Sequence, residues 1–232
     1  MKIIKTKPIC IAIFLLCVMH SFSQNDDTKD LENWSSIRLK YKLNKKWSFE
    51  LEEQLRLDED ISEVSGYFTQ LSTEYTLMKN FKIGGALRFV RINDNEGKIQ
   101  GYENHLRFHF DASYKHKIND VSLKYRLRYQ NRNELAVDDY ANQKLRLKVG
   151  IEYNIKNWKL DPKFSAEIFN QIGQEEENNG LKKYRLTLGT DYNLKNIGTI
   201  GLFYRIEQEL NETIPKTINI IGLKYTYTIK NK

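Results

Sequence analysis

The sequence predicts an all-β protein: a transmembrane antiparallel up-and-down β-barrel of about 12 strands, with 10–12 compatible. Three observations predict it. Apolar and polar residues alternate with period two along most of the chain. The alternating segments run mostly 10–12 residues, where a globular strand is nearer 5–6 and a tilted membrane-crossing strand needs about 9–11. The connections alternate short and long, as in barrels with tight turns at one rim and loops at the other.

The first segment stands apart from this pattern. Residues 1–23 read as a signal peptide: basic Lys2, Lys5 and Lys7, an apolar run from Ile9 to Met19, then Ser21 and Ser23 before Gln24. The apolar run spans 11 residues, too few for a spanning helix, which needs roughly 20. Cys10 and Cys17 both lie in this leader, and Leu16 occupies the position before Cys17 where lipidation requires a small residue. The chain from Gln24 onward has no cysteine, which excludes disulfides and thiolate metal sites there. Residues 24–33 are expected as a lead-in, and residues 34–232 as the barrel domain.

Composition narrows the class. Removing the three leader lysines takes the formal charge from +7 to +4, a modest excess that does not argue for nucleic acid as a partner. After the leader no run of 18 apolar residues occurs, so helical spans are not expected. A mean hydropathy of -0.63 looks soluble, but a membrane barrel also gives low values because only alternate residues meet lipid.

The alternation recurs along the chain from residue 37 to residue 229. Ile37, Leu39, Tyr41 and Leu43 oppose Arg38, Lys40 and Lys42, and segment 47–57 opposes Trp47, Phe49, Leu51, Leu55 and Leu57 to Glu50, Glu52, Gln54 and Arg56. Segments 67–77 and 81–91 repeat the pattern with Tyr67, Leu71 and Tyr75, then Phe81, Ile83, Leu87 and Phe89. Segment 102–115 sets Leu106, Phe108, Phe110 and Tyr114 against His105, Arg107, His109 and Asp111. Segments 121–130 and 144–155 place Lys124, Arg126 and Arg128, then Lys144, Arg146 and Lys148, on the polar phase. Segments 158–168, 184–194, 200–210 and 217–229 complete eleven candidates. Short links near 44–46, 78–80, 116–120, 156–157 and 195–198 alternate with longer ones near 58–63, 92–101, 131–141, 170–182 and 211–216. Aromatic residues gather at both ends, including Tyr41, Trp47, Tyr75 and Trp158 beside the short links and Tyr67, Phe89 and Tyr102 beside the long ones. Amphipathic rings favour the two lipid–water interfaces.

Three features depart from the pattern. Eleven is odd where single-chain bacterial barrels are even, so either residues 27–33 add a poorly patterned strand or plug, or one segment is wrongly counted. Glu53 sits on the apolar phase between Leu51 and Leu55 and needs a bulge or a protein partner. Pro162, also on that phase, cannot donate a ladder bond and marks an irregular spot.

Asn33-Trp34-Ser35-Ser36, Trp47–Arg56 and Tyr125–Arg132 together resemble the DUF2490 family. The resemblance spans nearly the whole chain after the leader. It implies an exported protein of Bacteroidetes-type bacteria, located in the cell outer membrane. The family carries no agreed activity, so the resemblance transfers no functional residue.

No catalytic, cofactor-binding or metal site is expected from the residues. His105 and His109 share a face but stand about 13 Å apart by strand rise, and Ser113 and Ser122 make no convincing triad with them. The acidic run Glu175–Glu177 reads as a solvated loop. The expected feature is a lumen network: His105, Arg107, His109, Lys124, Arg126, Arg128 and Arg146 with Glu50, Glu52 and Glu207. Mutual neutralisation would stiffen and plug a narrow barrel, whereas a basic wall would guide an anionic solute. The expected partners are outer-membrane lipid, the barrel-assembly machinery during biogenesis, and a small polar solute. A structural or interaction role leads, with a narrow channel and a lipid-modifying enzyme as alternatives.

Overall fold

The computed structural model describes residues 28–94, 101–135, 141–173 and 179–231. The expected leader and the run Glu175–Glu177 lie outside the described residues. Eleven strands follow in order: β1 (Lys29–Lys42), β2 (Trp47–Asp58), β3 (Glu63–Met78), β4 (Phe81–Asp94), β5 (Gly101–Ile118), β6 (Val121–Glu134), β7 (Asn142–Tyr153), β8 (Asp161–Ile172), β9 (Gly180–Leu194), β10 (Gly198–Glu209) and β11 (Thr217–Lys230). They form one closed barrel in which each strand pairs antiparallel with its chain neighbours.

The exception is the closing seam. β1 and β11 pair parallel from Lys29↔Thr217 to Lys42↔Lys230. An odd number of up-and-down strands forces this, because the first and last strands then run the same way. Eleven falls within the predicted range, and among the described residues no separate strand precedes β1. Instead residues 29–33 lengthen β1. The alternation missed them because Asp30, Leu31, Glu32 and Asn33 show no period-two pattern.

Register fixes the barrel's size. Following paired residues once around, from Lys42 on β1 to Glu209 on β10 and Lys216 beyond it, returns to β1 beside Thr28, 14 residues from the start. With strand spacing of about 4.8 Å and rise of about 3.3 Å, that stagger implies a tilt of about 40° and a backbone radius of about 11 Å. Long inward side chains can fill such a lumen.

The apolar phase points outward. Ile37 is 65% exposed, Leu71 60% and Phe110 62%, while on the opposite phase Glu52, His105, His109 and Glu167 are each 3% exposed. That inversion is what lipid around a barrel demands and what water around one forbids. Rings cluster on the outer surface at the short-turn rim, where the centroids of Trp47 and Tyr75 lie 4.7 Å apart and those of Tyr114 and Tyr125 6.4 Å.

The links depart from strict alternation at two places. The β2–β3 link, expected to be long, is only residues 59–62. Glu59, Asp60 and Ile61 all take positive φ there, and the Asp30 carboxylate accepts from the Glu59 and Asp60 amides at 3.3 and 3.0 Å. The β7–β8 link, expected at 156–157, runs over residues 154–160 and includes Trp158 and Leu160. Its Asp161 accepts from the Ile155 amide and the Asn154 side chain, and β8 starts there. Pro162 therefore falls at the second residue of β8, near the strand end where a missing donor costs least. Glu53 stays outward and exposed between Ile37 and Thr69, and the nearest register shift, at Arg56/Leu57, does not turn it inward.

Candidate functional site: an ion-paired, aromatic-lined lumen

Each strand contributes its polar phase to the interior. The result is a set of ion pairs that skip strands as well as join neighbours. Glu167 on β8 is the hub, with its carboxylate 2.7 Å from Arg126 on β6, 2.9 Å from Arg146 on β7 and 3.6 Å from Arg185 on β9. Arg185 continues to Glu207 on β10, which also holds Lys183 at 2.9 Å. On the facing wall Glu52 takes Arg38 at 2.5 Å and Arg88, two strands away, at 3.9 Å. Arg128 grips Asp111 with two 2.6 Å bonds, the fork geometry that makes arginine–carboxylate pairs strong. Toward the short-turn rim Lys124, Glu152, Lys163, Asp191 and Lys224 form one chain of alternating charges from β6 to β11.

Aromatic side chains break into this polar wall. Trp34, Phe68, Phe169 and Phe203 lie on the inward phase, and the first three are almost fully buried with Ile220. Arginines lie over their faces. Arg56 sits 3.9 Å from the Trp34 centroid, with Arg205 at 4.9 Å and Arg185 at 5.4 Å. Arg88 sits 3.3 Å over Phe68 and Arg146 4.3 Å over Phe169. A ring face attracts a cation most where water is scarce. Phe203 is seated by small neighbours: Gly189 on β9 and Gly222 on β11 flank it, and a Cβ at Gly222 would strike its ring. Together these groups form a girdle. Between it and the short-turn rim lies a cavity of about 800 Å³, lined among others by Arg107, Arg126, Lys148, Lys163 and Lys79.

The histidines stand apart. His105 lies 3.0 Å from Glu103 and directly opposite Glu134. One ligating atom from each of these three residues falls within 4.8 Å of the other two, so they are the described residues that could hold a metal ion. His109 faces Asp111 at 3.9 Å and has no share in that group. Among the described residues no serine hydroxyl bonds a histidine, and Ser113 stands in register with Lys82 and Arg126.

The fold, the apolar exterior and the charged lumen agree with the family comparison. Residues 31–217 match a family described as a protein of unknown function, DUF2490. The chain belongs to DUF2490. No curated protein matches it. As a DUF2490 chain with this architecture, it is an outer-membrane-type β-barrel of undetermined activity.

The ten residues expected in the lumen network all occupy inward positions in this DUF2490 barrel, but not one site. Arg126 and Arg146 meet at Glu167, and Arg128 sits at Asp111. Lys124 belongs to the rim chain, Glu207 to the girdle and Glu52 to the facing wall. Glu50 stands between Lys40 and Ser72 beside a smaller cavity of about 280 Å³. Arg107 makes no ion pair among the described residues, and its Nε is buried without a partner. Sequence reasoning missed Trp34, Phe68, Phe169 and Phe203 because aromatics were assigned to the lipid face. Phase alone marks them: Phe68 falls in step with Gln70, and Phe169 with Glu167.

Proposed function

We propose that this chain is a Bacteroidetes-type envelope protein, exported through the periplasm and inserted into the outer membrane by the barrel-assembly machinery. There it serves a structural or interaction role as a barrel closed to ion flow. The observation that carries the reading is the girdle, in which arginines from β2, β7, β9 and β10 pack on Trp34 and Phe169, and those from β7 and β9 lock to Glu167 and Glu207. A lumen about 11 Å in backbone radius has little open section left once such side chains cross it. Purified protein in a planar bilayer is expected to give no discrete conductance steps. Trp34→Ala combined with Phe169→Ala should introduce leak. Regular, anion-selective openings of the unaltered protein would instead favour the narrow uptake channel. A lipid-modifying enzyme has the least support, and release of fatty acid from outer-membrane lipid, lost on replacing His105 or His109, would be needed to revive it.

A further inference from the structure

We propose that the lumen cavity binds an oxyanion of the phosphate class, with Arg107 as its principal ligand.

Arg107 projects inward from β5, in register with Arg88 on β4 and Arg132 on β6. The charges that act on it most strongly are Arg146, Arg128, Arg56 and Arg185, all of its own sign. Each of those four has a partner of its own: Glu167 for Arg146, Asp111 for Arg128, Gln54 and the Trp34 ring for Arg56, and Glu207 for Arg185. Arg107 has no hydrogen bond or ion pair among the described residues, and its Nε is shut off from solvent. The Nε atoms of Arg126 and Arg185, on the wall of the same cavity, are likewise buried and unpartnered. Lys148, between Arg126 and Glu167 in register, adds a further cation to that wall.

An arginine cannot discharge itself by losing a proton. A cation held away from bulk water among like charges is costly unless an anion meets it. The wall therefore carries convergent donors in excess of its own acceptors. A guanidinium fork matches two oxygens of a phosphate or carboxylate, and several forks converging favour the more highly charged and oxygen-rich phosphate. A volume of about 800 Å³ exceeds a bare phosphate and falls in the usual range for small ligands, roughly 300–1,000 Å³. The ligand class is thus a phosphate group on a small molecule or on a lipid head. Lys79 and Asn80, in the β3–β4 turn, line the cavity and mark the short-turn rim as its entrance. The inference deepens the closed-barrel reading, since the anion is held rather than passed, but conductance and binding are measured separately and either can fail alone.

The test uses the full barrel in a zwitterionic detergent. Thermal unfolding and titration calorimetry are run with inorganic phosphate against chloride at matched ionic strength. Phosphate should raise the midpoint saturably, by about 5–10 °C at a hundredfold excess over Kd. Arg107→Gln should abolish the saturable part while leaving the chloride midpoint unchanged or higher, because it relieves repulsion. Arg107→Lys should retain binding at roughly a tenth of the affinity, having lost the fork. Mixed micelles with short-chain phosphatidic acid separate the sources: binding to both probes admits a soluble phosphate, and binding to the micelles alone assigns a lipid head. Phosphate stabilising no more than chloride, together with no response to phosphatidic acid, overturns the proposal. So does an Arg107→Gln protein that keeps the full response.

Discussion

At the scale of single residues, two carboxylates of one chemistry meet opposite surroundings. Glu53 faces outward from the middle of β2, with Ile37 and Thr69 as its cross-strand neighbours. A charge there costs a few kcal/mol at the bilayer centre and less toward an interface, with acids milder than bases. Glu53→Leu should therefore raise the unfolding free energy in lipid by about 1 kcal/mol. A loss of stability, measured by urea unfolding in vesicles, would instead mean that a protein partner covers the carboxylate. Glu167 is the reverse case: its side chain is 2% exposed among three arginines. Glu167→Gln leaves buried positive charge uncompensated and should cost about 3–5 kcal/mol in the same assay. A change within about 0.5 kcal/mol, ordinary for a surface position, would show the hub to be ornamental.

At the scale of elements, what the sequence made legible follows from what each signal reports. Period-two alternation reports which face meets lipid, so all eleven strands were found, most within a few residues of their ends. The alternation cannot report where a strand begins when its first residues do not alternate, as in residues 29–33. Nor does it report register, so neither the parallel seam nor the meeting of Trp34 with Arg185 and Arg205, carried by β9 and β10, could be read in advance. Link lengths misled at β2–β3, where Asp30 from a different strand ties the turn down. The seam has its own test. With Cys10 and Cys17 replaced by serine, paired cysteines can be introduced at Leu39 and Tyr227, which are register partners. Oxidation should give an intramolecular crosslink between them, and Leu39→Cys paired with Ile218→Cys, far apart along the seam, should give none. Equal crosslinking of both pairs would refute the register.

At the scale of the whole molecule, an apolar exterior and a charged interior reverse the arrangement of a water-soluble domain. The outer face is matched to an apolar solvent, and the barrel has to supply a polar one inside from its own side chains. Ion pairs along the wall, such as Lys163 with Asp191 and Lys224 with Asp191, do this locally. The girdle does it across the wall. The same arrangement explains why the lumen chemistry was only partly legible: charge was visible in each strand, but pairing depends on the 14-residue stagger that brings the rows together.

The girdle also has a place in time. Arg128 and Asp111 lie on one hairpin, so their bonds can form as soon as β5 and β6 meet. Trp34 is different: it rides on the first strand, while Arg185 and Arg205 ride on two of the last three. Most of the chain must be laid down before those contacts exist, and contacts that distant in sequence are slow to make. They then work as a latch on the finished barrel. Interactions that come together only after the rate-limiting step slow escape from the native state more than they speed arrival. A barrel latched in this way resists opening longer than its equilibrium stability alone would suggest.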